Sequence, residues 1–121
     1  MATRETPEFV QLCPLSDIRP NGEGRHFRPA TGRWRNKAMA VFEEAGKFYA
    51  MNFVCPHSGG PMSEGWIRDG IVTCPWHEWQ FDASTGLSTE KDGHAIEVYE
   101  TRQEGGNLLV GGIKRPPVWK E

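Results

Sequence analysis

Long apolar runs are missing from this chain. The longest covers only residues 38–42 of 121, far short of the ~20 apolar residues a membrane-spanning helix needs, so no membrane association is expected. Residues 1–7 lack the apolar centre of a signal peptide, and the expected location is the cytoplasm. Cysteine is scarce and odd in number, three in all, which argues against a disulfide framework and for metal chemistry. Helical periodicity is also lacking, since no segment of more than ten residues shows it. Net charge is only −2, but unevenly spread: residues 1–37 carry seven basic and four acidic side chains, residues 38–121 seven and twelve.

Turn formers are plentiful. With 14 glycines and 9 prolines in 13.6 kDa, the composition suits one turn-rich β domain, residues 1–121, with a modest core. Strands are expected at 9–13, 38–42, 47–53, 71–73, 79–81, 95–99 and 107–110. Turn signals separate several of them, at Glu43-Glu44-Ala45-Gly46, Asp69-Gly70 and Gly105-Gly106. Ile96 and Val98 alternate with polar neighbours, as a half-buried strand does. Ser16 to Arg19 suit one helical turn, and residues 20–37 read as a loop.

Two short matching segments stand out, Cys55-Pro56-His57 and Cys74-Pro75-Trp76-His77. Each offers one thiolate and one imidazole at a spacing that a tight turn brings together. Two cysteines with two histidines is the ligand set of a Rieske [2Fe–2S] centre, in which two His replace two Cys on one iron. The interval between the segments contains Gly59-Gly60-Pro61, Gly65 and Asp69-Gly70, so the chain can turn away and return. Proline after each cysteine fixes φ and stiffens the loop. Gly59 and Gly60 are expected to bring backbone amides close to the cluster sulfides as donors. Zinc is the alternative for such a set, but zinc fingers keep their two Cys together and their two His together, and zinc ribbons use paired Cys-x-x-Cys knuckles.

The run Cys55-Pro56-His57-Ser58-Gly59-Gly60-Pro61-Met62, then Cys74-Pro75-Trp76-His77-Glu78-Trp79-Gln80-Phe81-Asp82 and Thr85-Gly86, resembles the Rieske ferredoxin family. The likeness extends to about Gly112 and is greatest to soluble ferredoxins of ring-hydroxylating oxygenases and the small subunit of assimilatory nitrite reductase. It implies an all-β Rieske fold, small antiparallel sheets forming a base, with a cluster-binding subdomain of two ligand loops over about residues 53–93. It further implies one [2Fe–2S] cluster, with Cys55 and Cys74 on the inner iron and His57 and His77 on the outer iron through Nδ1. The partners implied are a reductase and an oxygenase, or a nitrite reductase large subunit. High-potential relatives carry an inter-loop disulfide and sulfur-directed hydroxyls at positions that here are Gly60, Trp76, Trp79 and Phe81. Six acids against two bases between Cys55 and His94 add negative charge. Both features predict a low potential, roughly −150 to 0 mV. Many relatives also have a proline in the covering loop, which residues 87–94 lack.

Other residues carry plainer expectations. Cys13 reads as a small buried hydrophobe, Trp79 and Phe81 as core, and His26 and His94 as ordinary surface or loop histidines. Glu64, Glu78 and Asp82 could steer a basic partner. Residues 25–37 hold five Lys/Arg and no acid, interleaved with Phe27 and Trp34; in a net acidic chain that favours protein contact or solvent over nucleic acid. A self-contained oxygenase would need a further mononuclear iron site, and only His26 and His94 remain to supply it. An assembly module that has lost its ligands does not match a chain that keeps all four.

Overall fold

Three two-residue turns set the strand pairing. Ala45-Gly46, Asp69-Gly70 and Gly105-Gly106 all have positive φ at both central positions, the requirement of the hairpin turn whose twist matches the flanking strands. The computed structural model describes residues 9–19, 22–55, 59–76, 78–89 and 95–114. Among these there are nine strands: β1 (Val10–Pro14), β2 (Arg25–Phe27), β3 (Met39–Glu44), β4 (Lys47–Asn52), β5 (Trp66–Arg68), β6 (Ile71–Thr73), β7 (Gln80–Asp82), β8 (Val98–Glu104) and β9 (Asn107–Ile113). Single 3-10 turns occur at Leu15–Asp17 and Met62–Glu64. No helix among the described residues is long and apolar enough to cross a membrane.

The strands form an antiparallel six-stranded sheet, ordered β1-β9-β8-β4-β3-β2, and a three-stranded sheet β5-β6-β7. The all-β expectation holds. Strand β3 explains why the longest apolar run falls where it does. Ala40 and Phe42 enter one core cluster with Met51, Met62, Val72, Phe81, Cys55 and Cys74. Met39 and Val41 enter a second with Val10, Leu12, Cys13, Tyr99, Leu108 and Val110. A strand covered on both faces must be continuously apolar.

Residues 25–27 depart from the loop expectation, whereas 28–37 keep to it. Arg25–Phe27 pairs with β3, and the chain then crosses to the far side of the sheet. There the Trp34 indole Nε1 donates to the carbonyl of Gly111 at 2.7 Å, and its ring lies 5.1 Å from that of Tyr99. Gly32 packs so close to Val10 that an added Cβ would lie 2.6 Å from the Val10 Cγ1. The loop therefore ties the β2–β3 edge to β1 and β9. The expected strand at 95–99 begins later, at Val98, although Ile96 and Val98 are buried and Glu97 exposed as their alternation predicts.

The sheets are joined by backbone pairing of Glu23 with Trp66, by the Ile67 N–H donating to the carbonyl of Gly22 at 2.7 Å, and by a carboxylate. Glu44, at the end of β3, accepts from the backbone N–H of Asp69 at 2.6 Å and of Gly70 at 2.8 Å. These amides point outward at the β5–β6 turn, so the base sheet holds the tip of the hairpin that leads into Cys74.

Candidate metal centre

Each cysteine sits at the neck of a loop, and the two necks are built alike. The Cys55 N–H donates to the carbonyl of Gly60 at 2.9 Å, and the Cys74 N–H to the carbonyl of Trp79 at 2.8 Å. Both bonds span the same number of residues. The first loop grows from a short ladder in which Val54 bridges Pro61 and the Met62 N–H donates to the carbonyl of Phe53 at 2.8 Å. The second continues the β6–β7 pairing beyond Thr73 and Gln80. A ladder on each side fixes where the sulfur-bearing residue points, which is what preorganised ligation requires.

Cys55 and Cys74 are fully buried, free of any disulfide and members of one core cluster. The loops meet at Gly60, where an added Cβ would lie 2.8 Å from the Trp76 Cγ and 2.9 Å from its Cδ2. Trp76 thus rests on the Gly60 backbone while remaining 50 % exposed, and Val54 beside Cys55 is 48 % exposed. Among the described residues this contact brings the two segments face to face. His57 and His77 lie outside the described residues, as does His94. His26 is exposed on β2, its ring 5.3 Å from that of Phe53. Two buried cysteines without a disulfide, at equivalent necks of touching loops, fit a cluster that takes one thiolate from each loop.

The surroundings match several expectations and correct one. Phe81 is fully buried and Trp79 packs partly buried against the same core, the two rings 6.5 Å apart. Cys13 is buried away from the loops, and burial, aided by Asp17, pushes its thiol up to about 12. Gly59 does not free an amide for the cluster, because its N–H donates to the carbonyl of Cys55 at 2.8 Å and closes the loop. Asp82 keeps its charge but is fixed in place by its own turn. Its carboxylate accepts from the Ser84 hydroxyl at 2.7 Å and from the Ser84 and Thr85 amides at 2.9 and 3.1 Å. Burial acts to raise the Asp82 carboxyl, but these bonds outweigh it and hold the group below the ordinary 3.8. Glu64 and Glu78 remain exposed, Glu78 with a left-handed φ of 57°. The Glu44 link and the seating of Trp76 on Gly60 carried no local sequence signal.

The comparisons with known proteins point to one family. A family model described as the Rieske [2Fe–2S] domain matches residues 8–100. The ferredoxin component of an alkene monooxygenase system of Xanthobacter autotrophicus is 29 % identical over 91 % of this chain and 86 % of its own. The ferredoxin subunit of the 3-phenylpropionate/cinnamic acid dioxygenase of Escherichia coli is 30 % identical over 84 % and 91 %. Among solved structures, a chain from the complex of reduced oxygenase and oxidised ferredoxin in carbazole 1,9a-dioxygenase superposes with a TM-score of 0.70 at 27 % identity, covering 88 % of this chain and 95 % of that one. A chain assigned as an NADH-dependent nitrite reductase small subunit of Mycobacterium tuberculosis shares the fold, with a TM-score of 0.76 at 21 % identity over 91 % and 99 %. With its two cysteine loops and a family match across most of its length, the chain belongs to the Rieske [2Fe–2S] domain family.

Proposed function

We propose that this chain is a soluble, cytoplasmic, low-potential electron carrier that takes one electron from a reductase and hands it to an oxygenase. The observation that carries the reading is the pair of buried, unbridged cysteines at matched necks of two loops in contact. Cys55 and Cys74 would hold one iron as thiolates and His57 and His77 the other through their ring nitrogens. The bound [2Fe–2S] cluster supplies reversible one-electron chemistry. The protein excludes water with Phe42, Met62, Val72 and Phe81, holds the thiolates on rigid necks, and leaves Trp76 and Val54 on the surface beside them. The oxygenase side is favoured because relatives at 29 and 30 % identity are ferredoxin components of oxygenase systems. In this reading residues 1–121 are one domain, with residues 53–93 as its cluster-binding part.

Low potential follows from what surrounds the sulfurs. Hydrogen bonds to cluster sulfur favour the more negative reduced state. Phe81 and Trp79 have no hydroxyl, and the Gly59 amide is committed to Cys55. An EPR-monitored redox titration of the purified protein tests the reading. A one-electron signal of low average g, with a midpoint at roughly −150 to 0 mV, supports it. A strongly positive midpoint would overturn the low-potential assignment. Folded protein that incorporates zinc and no iron would overturn the carrier itself.

A further inference from the structure

The five-cation stretch has no role in the metal centre, and its placement suggests a separate one. Phe27 and Trp34 pack against the core cluster that contains Met39 and Val41, whereas the cysteines share the cluster containing Ala40 and Phe42. Adjacent residues of β3 point to opposite faces, so the basic loop lies on the far face of the six-stranded sheet from the cysteines. It is rigidly built. The Asn36 N–H donates to Pro29 at 2.9 Å, the Lys37 N–H to Trp34 at 2.9 Å, and an Arg28 guanidinium N–H to the carbonyl of Asn36 at 2.6 Å. The Arg33 guanidinium stacks 4.6 Å from the Trp34 ring centre. Arg28, Arg33 and Arg35 are exposed, and none pairs with a carboxylate among the described residues.

We propose that this loop docks an acidic patch on a protein redox partner, holding the carrier by the face away from its cysteine loops. Guanidinium groups suit carboxylates because their planar fork can pair with both oxygens. A preformed loop loses little conformational freedom on binding. Nucleic acid fits less well, because both aromatics of the stretch are committed to the core and cannot stack on bases, and residues 38–121 carry five more acids than bases. A tether on this face raises the local concentration of partner without covering the cysteine loops. The inference rests on the electron-carrier reading for the identity of the partner, but its test does not.

The holoprotein is titrated with a labelled 12-residue poly-L-glutamate at low salt, beside a DNA duplex of matched charge and anionic phospholipid vesicles. The peptide is expected to bind most tightly and to weaken as salt approaches 0.15 M. R33Q/R35Q is expected to lose roughly fivefold to tenfold in affinity, and the equal charge change K47Q/R68Q, away from the loop, less than about twofold. R35Q alone should lose part of the same affinity with an unchanged melting temperature, since its side chain makes no hydrogen bond or ion pair among the described residues. No peptide binding by the parent protein, equal loss in the two double variants, or tighter binding of DNA or vesicles would each overturn the proposal. A cluster spectrum measured on the same samples separates this outcome from failure of the electron-carrier reading.

Discussion

Ala45 holds a backbone conformation that an L-residue disfavours, with φ at 53° in the β3–β4 turn. The neighbouring turns place Asp or Gly at the equivalent position, and left-handed geometry costs alanine about 1 kcal/mol. Ala45→Asn, whose short amide tolerates that region, should raise stability by roughly 0.5–1 kcal/mol. The urea midpoint should move up with an unchanged slope. Asp82 supplies the pH-dependent counterpart. Its carboxyl is held below 3.8 in the folded state, so the folded form favours the ionised group. That contribution is complete above the unfolded value of about 3.9, fades as pH falls toward the lower folded value, and is gone beneath it. Asp82→Asn should therefore narrow the stability difference between neutral and strongly acidic solution, read from melting temperatures across that window. An unchanged pH profile would show that the Ser84 and Thr85 bonds do not set the Asp82 ionisation.

Two side-chain connections between elements help hold the fold together. Trp34 links the β2–β3 loop to β9 through one indole hydrogen bond and a ring contact with Tyr99. Trp34→Phe removes the bond and retains most of the ring, a loss of about 1 kcal/mol, whereas Trp34→Ala should cost about 3–5 kcal/mol. Glu44 links the base sheet to the β5–β6 hairpin. Glu44→Ala leaves the turn amides of Asp69 and Gly70 without their charged acceptor, at about 1.5–3 kcal/mol. Hydrogen exchange at those two amides should accelerate before exchange in β3 or β4 does. The difference in legibility between these elements is physical. The Ala45-Gly46, Asp69-Gly70 and Gly105-Gly106 turns could be read from sequence because a two-residue turn carries its own requirement. Trp34 and Gly111 are 77 residues apart, and Glu44 and Gly70 26, so neither partner marks the other. The basic stretch therefore read only as a loop, and its contacts with β1, β8 and β9 were not legible. The cysteines were legible from spacing alone, but the seat of Trp76 on Gly60 and the use of the Gly59 amide depend on how the loops close.

Across the whole molecule the two core clusters divide the labour of folding. One, bounded by β1, β3, β4, β8 and β9, contains Cys13 but neither loop cysteine. The other gathers Cys55 and Cys74 with Met62, Ile67, Val72 and Phe81, and much of it lies between the two loops and the short three-stranded sheet. Strands of three residues hold few ladder bonds of their own, so this half gains most from a group that bridges its loops. Whatever binds the folded loops and not the unfolded chain adds its binding free energy to their stability. Stripping the iron should accordingly lower the melting temperature. It should also raise hydrogen exchange in β5, β6, β7 and residues 59–62 well before β9 and the part of β8 beyond Val98, which pack in the other core. Cys55→Ser in the iron-loaded preparation should reproduce that pattern, while Cys13→Ser, buried on the opposite side of β3, should destabilise without releasing iron. If the apo protein instead loses protection uniformly, the two clusters fold as one unit and the bridging group stabilises the entire sheet.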